Sequence, residues 1–102
     1  MKVFISQPMR DKSKAEILSA RKQAKTFLEE RYPNEKIEII NNFFEDKPEE
    51  VNPLYFLAKS LELMSTADLA YFIGDWRIYR GCLIELNLAL QYGIECIFES
   101  KS

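Results

Sequence analysis

A single glutamate interrupts the most apolar helical segment in the sequence. Glu85 lies a few residues after an Arg-Gly pair, in a run over residues 82–90 that is otherwise largely aliphatic. An ionised carboxylate is almost never fully buried unless it is paired, because removing it from water carries a large free-energy cost. Glu85 is therefore either a surface residue or a carboxylate at the rim of a pocket. In a pocket it could attack an anomeric carbon and form a glycosyl–enzyme ester, if an acid protonates the leaving group.

The composition restricts the chemistry that is available around Glu85. The chain has 102 residues, no histidine and two cysteines, and its net charge is −2. Without histidine, Ser-His and Cys-His catalysis are excluded, and the two cysteines do not form a CxxC pair, so we predict neither a metal nor a cofactor. Interleaved charges argue against duplex nucleic acid or a membrane surface as a partner. A small anionic ligand held by one or two arginines remains compatible with this charge.

The length of the sequence indicates one domain over residues 1–102. The N-terminal segment MKVFI is typical of a strand rather than a signal peptide, and no apolar run approaches the length of a membrane span. We therefore expect a cytoplasmic protein.

Hydrophobic spacing predicts four strands that alternate with three helices. Strands are expected at residues 2–5, 37–40, 68–73 and 94–98, and helices begin near Ser13, Pro53 and Gly81. The predicted inward stripes are Ile17, Ala20, Ala24, Phe27 and Leu28 in the first helix and Leu54, Leu57, Leu61 and Met64 in the second. This β-α-β-α-β-α-β order predicts an α/β fold: a small parallel four-stranded sheet flanked by helices in three layers, of the flavodoxin or Rossmann type.

In such folds ligands bind at the carboxyl ends of the strands, which here are followed by residues 6–12, 41–44 and 74–80. The first of these loops precedes a helix N-terminus, where free N–H groups favour an anion, and Ser6, Arg10 and Ser13 would add donors. No glycine-rich phosphate loop is present, so an ordinary polar loop is an equal alternative.

Two aspartates and a tryptophan near the third strand are further candidates. Asp68 opens that strand and either bonds a neighbouring backbone N–H or takes part in a site. Asp75 and Trp76 follow the strand at the ligand end. Trp76 could stack on a nucleobase, close the core or form a dimer contact.

Three segments appear in an order that resembles the nucleoside 2-deoxyribosyltransferases. They are FISQPM at residues 4–9, ADLAYF at residues 67–72 and GCLIELNLA at residues 81–89. The chain looks most like a short branch of that superfamily found in bacteria and phages. The resemblance implies cleavage or transfer at the N-glycosidic bond of a (deoxy)nucleoside or of a nucleoside 5′-monophosphate.

By this resemblance Glu85 falls on the catalytic nucleophile, and Asp68 falls on an aspartate that helps to handle the nucleoside. The loop after the first strand falls on the loop that lines the sugar site. In the related monophosphate N-glycosidases this loop carries an arginine near the phosphate, which implies a phosphate at Arg10. Asp75 is a secondary acid candidate, and Trp76 or Met9 would flank the base. The predicted substrate-binding residues are Ser6, Gln7, Met9, Arg10, Asp75, Trp76 and Arg80.

The chain departs from the family pattern at three positions. Gln7 stands where a glycine often lies, Cys82 replaces a threonine, and Asn87 replaces a glycine. No equivalent of the C-terminal segment that a neighbouring subunit donates in the deoxyribosyltransferases is found. A non-catalytic nucleotide-binding or sensing module is therefore the alternative function. Family members commonly oligomerise, so we expect a homo-oligomer, and a third possibility is that Glu85 lies at the rim of a dimer face.

Overall fold

Four parallel strands form one sheet in the order β2-β1-β3-β4 in the computed structural model, which describes residues 1–45, 48 and 50–100. The strands are β1 (Lys2–Ser6), β2 (Glu38–Ile39), β3 (Leu69–Phe72) and β4 (Glu95–Phe98). The helices are α1 (Lys14–Arg31), α2 (Pro53–Met64) and α3 (Arg80–Gln91), with a short 3-10 helix at Trp76–Ile78. The predicted α/β class, with a parallel four-stranded sheet flanked by helices, is confirmed.

The helix starts follow from local capping chemistry. Ser13 Oγ accepts a hydrogen bond from the Glu16 N–H at 3.1 Å, and the Ser13 N–H donates to Glu16 Oε1 at 3.3 Å, which completes a capping box. Helix α2 begins at Pro53, and Asn52 Oδ1 accepts from the Leu54 N–H at 2.9 Å. None of the described helices is long and apolar enough to cross a lipid bilayer.

Alternate side chains of the two central strands fill two separate cores, one on each face of the sheet. Val3 and Ile5 of β1 pack against Leu28 and its neighbours in α1, whereas Phe4 packs towards Met64 of α2 and Ala89 of α3. Both faces are therefore covered, and the apolar sequence of β3 is fully buried. The three layers are α1, the sheet, and the pair α2 and α3.

Two polar residues, one phenylalanine and one leucine depart from the predicted helix stripes. Phe27 was predicted to face the core, but its side chain is 40% exposed and stacks on Tyr71 with ring centroids 5.5 Å apart. Arg21 and Ser60 are buried on the inward faces of α1 and α2. Leu54 was predicted to face the core, and this prediction is wrong, because its side chain is 64% exposed. The first turn of α2 borders an open groove rather than the core.

The carboxyl ends of β1 and β3 meet at the centre of the sheet, where Ser6 is in register with Phe72. Gly74 follows β3 with φ of 68°, a backbone conformation that favours glycine. A Cβ at Gly74 would lie 3.3 Å from the Pro8 ring, so this glycine lets the loops after β1 and β3 approach closely. The fold thus brings the loops after β1 and β3 into contact.

We predict that Leu28→Ala lowers the free energy of unfolding by about 3 kcal/mol, because it leaves a cavity in the core beneath α1. Leu18→Ala on the same helix is the matched control, since Leu18 is 45% exposed, and it should change stability by less than about 1 kcal/mol. Urea unfolding followed by far-UV circular dichroism measures both. Equal losses in the two variants would contradict the assignment of the buried face of α1.

Candidate functional site

A cleft opens at the carboxyl end of β1, between the loops after β1 and β2 on one side and α2 and α3 on the other. Its volume is about 190 Å³, and Glu85 lies in its wall. Strands β1 and β3 are neighbours in the sheet, but the chain leaves β1 for the edge strand β2 and leaves β3 for the opposite edge strand β4. The cleft therefore lies at the switch point of the sheet, where open α/β folds bind ligands.

Glu85 is the buried carboxylate of this cleft. It is the sixth residue of α3 and is only 7% exposed. Ser6 Oγ donates a hydrogen bond to Glu85 Oε1 at 2.6 Å, and the Ser60 hydroxyl of α2, in the wall of the same cleft, also favours the charged form of this carboxyl. Three separate elements, β1, α2 and α3, thus meet at one carboxyl group.

Burial raises the pKa of Glu85 from 4.5 to about 7, and the hydroxyl groups of Ser6 and Ser60 partly oppose this rise. Desolvation disfavours the charged carboxylate, whereas hydroxyl donors favour it. Near neutral pH the side chain therefore exchanges between its acid and its carboxylate form. A group of this kind can serve as a nucleophile or as a proton donor.

Cys82 lies one turn before Glu85 on the same face of α3 and also lines the cleft. Burial raises the pKa of its thiol to about 11, with Ser6 acting in the opposite direction and Glu85 adding to the rise. The sulfur is consequently a thiol at neutral pH. Because the thiolate is the nucleophilic form of cysteine, Cys82 does not compete with Glu85 for that role.

The structure does not bring Asp68 to the cleft. Its carboxylate accepts a hydrogen bond from the Lys2 N–H at 2.7 Å, and its own N–H donates to the Lys2 carbonyl at 2.8 Å. Lys2 is at the opposite end of β1 from Ser6, a separation of roughly 13 Å along an extended strand. Asp68 therefore caps the amino-terminal edge of the sheet, and the predicted partnership between Asp68 and Glu85 has no geometric support.

Asp75 and Trp76 also lie away from the cleft. Asp75 Oδ1 is 3.9 Å from Lys12 Nζ and borders a different depression, on the other side of the loop after β1. Trp76 is buried and packs on Phe72 and Phe98, with ring centroids 5.6 and 5.2 Å away. Of the alternatives open for Trp76, the structure supports closure of the core.

The remaining predicted residues surround the cleft. Gln7 and Met9 line it, and Arg10 and Arg80 line a wider groove of about 960 Å³. The groove and the cleft share Tyr79 and Gly81 in their walls, so they adjoin each other. No ion pair among the described residues involves either of these two arginines.

Sequence reasoning missed four residues in or behind the wall of the cleft. They are Arg21, Asn42, Ser60 and Tyr79. Arg21 and Ser60 are polar residues within apolar helical stripes. Glu85 was predicted to be a site residue from the same kind of pattern. Asn42 lies in the loop after β2, which was predicted to be at the ligand end of the sheet. Asn42 itself was not among the predicted site residues. Nothing in the sequence distinguishes Tyr79 from other loop tyrosines.

Metal ions have no obvious site in the described part of the chain, which contains no cluster of three or more histidine, cysteine or acidic side chains. Comparison of the chain with protein-family models, with curated proteins and with solved structures finds no match. The function proposed below therefore rests on the geometry of the cleft and on the motif pattern.

We predict that Glu85→Gln changes how stability depends on pH. The folded pKa of about 7 exceeds the ordinary value of 4.5, so the native state binds more protons than the unfolded state between these values. The contribution of Glu85 to the free energy of unfolding is therefore fully present below pH 4.5 and is lost as the pH rises through 7. Relative to wild type, Glu85→Gln should gain roughly 2 to 3 kcal/mol between pH 5 and pH 8.

Urea unfolding at the two pH values measures this change. Glu30→Gln on the exposed face of α1 is the control, because it removes one glutamate without altering the cleft. A stability difference between Glu85→Gln and wild type that is the same at pH 5 and pH 8 would show that the native carboxyl is not perturbed.

Proposed function

We propose that the protein acts on the N-glycosidic bond of a nucleoside or a nucleoside 5′-monophosphate, with Glu85 as the nucleophile. The observation that supports this proposal best is the buried Glu85 carboxyl, held by Ser6 at 2.6 Å in a cleft at the switch point of the sheet. Burying a carboxyl group costs free energy, so a buried position of this kind is not explained by a contribution to folding stability. The motif resemblance to nucleoside 2-deoxyribosyltransferases assigns the nucleophilic role to the same residue.

The proposed reaction has two steps. The ionised Glu85 oxygen attacks the anomeric carbon, and the C–N bond breaks with its electron pair passing to the base nitrogen. The base then takes up a proton and leaves. In the second step another base or a water molecule attacks the glycosyl ester, releases Glu85 and loses a proton to solvent. Transfer and hydrolysis differ only in this second nucleophile.

Ser6 and Ser60 would hold the attacking oxygen in place during this reaction. Both hydroxyls favour the ionised form of Glu85, which burial alone would suppress at neutral pH. When the glycosyl ester forms, the carboxyl loses its charge, and the cost of burying that charge disappears. The apolar surroundings therefore favour bond formation, while the serines keep enough of the reactive carboxylate present.

Arg10 and Arg80 support a 5′-phosphate on the substrate. They line the groove that adjoins the cleft, and arginine is well suited to phosphate because its planar guanidinium can donate two parallel hydrogen bonds. A sugar placed against Glu85 would direct its 5′ substituent either into this groove or towards solvent. The proposal places the phosphate in the groove.

The proposal includes self-association, with the groove as the surface that a second copy would cover. Ile78 and Leu54 line the groove and are 76% and 64% exposed. Apolar side chains of this size at a rim are typical of association surfaces. A second copy would also reduce the access of water to the cleft.

A non-catalytic nucleotide-binding module is the second candidate function. It is favoured by the position of Asp68, because Glu85 is the one carboxylate among the described residues that line the cleft. A glycosidase-type reaction ordinarily uses a second acid for the leaving group. Binding of a nucleotide without turnover would fit a cleft that has the carboxylate but not this acid.

We predict that the wild-type protein releases free base from at least one member of a panel of deoxynucleosides, ribonucleosides and their 5′-monophosphates. Glu85→Gln should lower this rate by roughly 1,000-fold or more, because it removes the nucleophile. Asp68→Asn should retain the rate within about twofold, since Asp68 bonds the Lys2 backbone far from the cleft. Chromatography of the released base measures all three proteins.

Tight nucleotide binding without base release in the wild type would support the sensing module instead. Loss of activity in Asp68→Asn with an intact fold would show that Asp68 reaches the substrate. Neither binding nor turnover of any member of the panel would contradict both candidate functions.

The pH dependence of base release provides a separate prediction. Because the nucleophile must be ionised, the rate should fall about tenfold per pH unit below the Glu85 pKa of about 7. Ser6→Ala removes a donor to the carboxylate, so its profile should shift to higher pH by roughly one unit. A shift to lower pH, or a profile that is flat through pH 7, would contradict the assignment of ionised Glu85 as the nucleophile.

A further inference from the structure

Behind the cleft lies a buried arginine, Arg21. Arg21 of α1 is 8% exposed, and none of the ion pairs formed within residues 1–45, 48 and 50–100 involves it. Its guanidinium instead donates to three neutral oxygens: Gln7 Oε1 at 2.8 Å, Asn42 Oδ1 at 2.7 Å and the Ile40 carbonyl at 2.9 Å. Burial lowers the pKa of Arg21 to about 10, so it remains a cation at neutral pH.

The bonds to Arg21 fix the orientation of two side-chain amides. Arginine has only donors, so the oxygen of each amide must face the guanidinium and the nitrogen must face away. The nitrogens then donate to backbone carbonyls, Gln7 Nε2 to Ile17 at 3.2 Å and Asn42 Nδ2 to Ile5 at 3.1 Å. Each NH2 group keeps a second hydrogen that no contact among the described residues uses.

Gln7 and Asn42 both line the Glu85 cleft, and Gln7 also lines the depression on the other side of the loop after β1. Asn42 is bonded to the carbonyl of Ile5, which immediately precedes Ser6, the donor to Glu85. The network around Arg21 and the bonds to Glu85 therefore adjoin each other at the end of β1. A change in the orientation of either amide would therefore alter the polar wall of the cleft rather than a distant surface.

A cationic donor on the oxygen of an amide also makes its N–H a stronger donor, because linked hydrogen bonds polarise one another. This matters for the proposed reaction, in which the leaving base accumulates negative charge as the C–N bond breaks. The cleft has no second carboxylic acid among its described residues to protonate that base. Polarised N–H groups can stabilise such charge without transferring a proton.

We propose that Arg21 is a positioning residue that turns the amide hydrogens of Gln7 and Asn42 towards the acceptor atoms of the leaving base. This inference rests on the proposed function, since it assigns the leaving-group side of the same reaction. The electron pair of the broken C–N bond spreads over the ring of the base, and the two amides hold its acceptor atoms until solvent supplies the proton. Arg21 itself touches no substrate.

The orientation of the amides can be tested without any substrate. In nitrogen-15 NMR spectra of the wild type, the side-chain NH2 signals of Gln7 and Asn42 should be dispersed and slow to exchange with water. In Arg21→Met, which removes the donors and roughly keeps the length, both pairs should exchange at least tenfold faster. Arg31→Met, at the exposed end of α1, is the control and should leave these signals unchanged.

The leaving-group role is tested by measuring base release from a series of substrates that share one sugar but carry bases of different acidity. The series uses nucleosides or their 5′-monophosphates, whichever form the wild type cleaves. For Arg21→Met we expect a loss of roughly 100-fold with the least acidic base and less than about fivefold with the most acidic one. Arg21→Lys should recover part of the loss. Asn42→Asp gives a second test, because it keeps an oxygen for Arg21 but removes the N–H donor.

Asn42→Asp also places a counter-charge next to Arg21, so it should fold even if Arg21→Met does not, and it should show the same steep dependence on base acidity. An equal loss with every base would overturn the leaving-group role and leave a purely structural one. Unchanged amide exchange in Arg21→Met would overturn the positioning. If the wild type releases no base, the proposed function and the leaving-group role both fail, whereas the NMR result still decides the positioning.

Discussion

The hydrogen bond between Ser6 and Glu85 is the interaction on which the site depends. It joins the last residue of the central strand β1 to the second turn of α3, two segments that are 79 residues apart in sequence. The bond can form because β1 and β3 are adjacent and because the connection after β3 places the start of α3 near the carboxyl ends of these strands. The parallel sheet therefore matters to function chiefly as the frame that brings one hydroxyl to one buried carboxyl.

Two buried ionisable groups that form no ion pair with any described residue lie at the same cleft, Glu85 in its wall on the α3 side and Arg21 behind it on the α1 side. In both cases desolvation is the largest cause of the pKa change, and neutral hydroxyl, amide or carbonyl groups provide the bonds. Such an arrangement lowers the stability of a small domain, and natural proteins keep it mainly where a site requires it. The sheet and its two apolar cores make this local cost tolerable.

The fold was predictable because its signals are local. The capping box at Ser13, the apolar run of β3 and the alternation of strands and helices each follow from near neighbours in sequence. The pocket position of Glu85 was also predictable, as a charge within an apolar helix. The partners of the site were less accessible: Asp68 was assigned to it by motif, but the sheet register places it at the opposite edge. Arg21 and Asn42 meet only through tertiary packing, which sequence spacing does not encode.

The most direct test is a titration of the Glu85 carboxyl carbon by carbon-13 NMR in the wild-type protein, with Glu85→Gln used to assign the signal. A carboxyl buried in the cleft and held by Ser6 should titrate with a midpoint at about 7. A midpoint near the ordinary glutamate value of 4.5 would contradict the central claim, because Glu85 would then be a solvated surface residue rather than a buried group poised for chemistry.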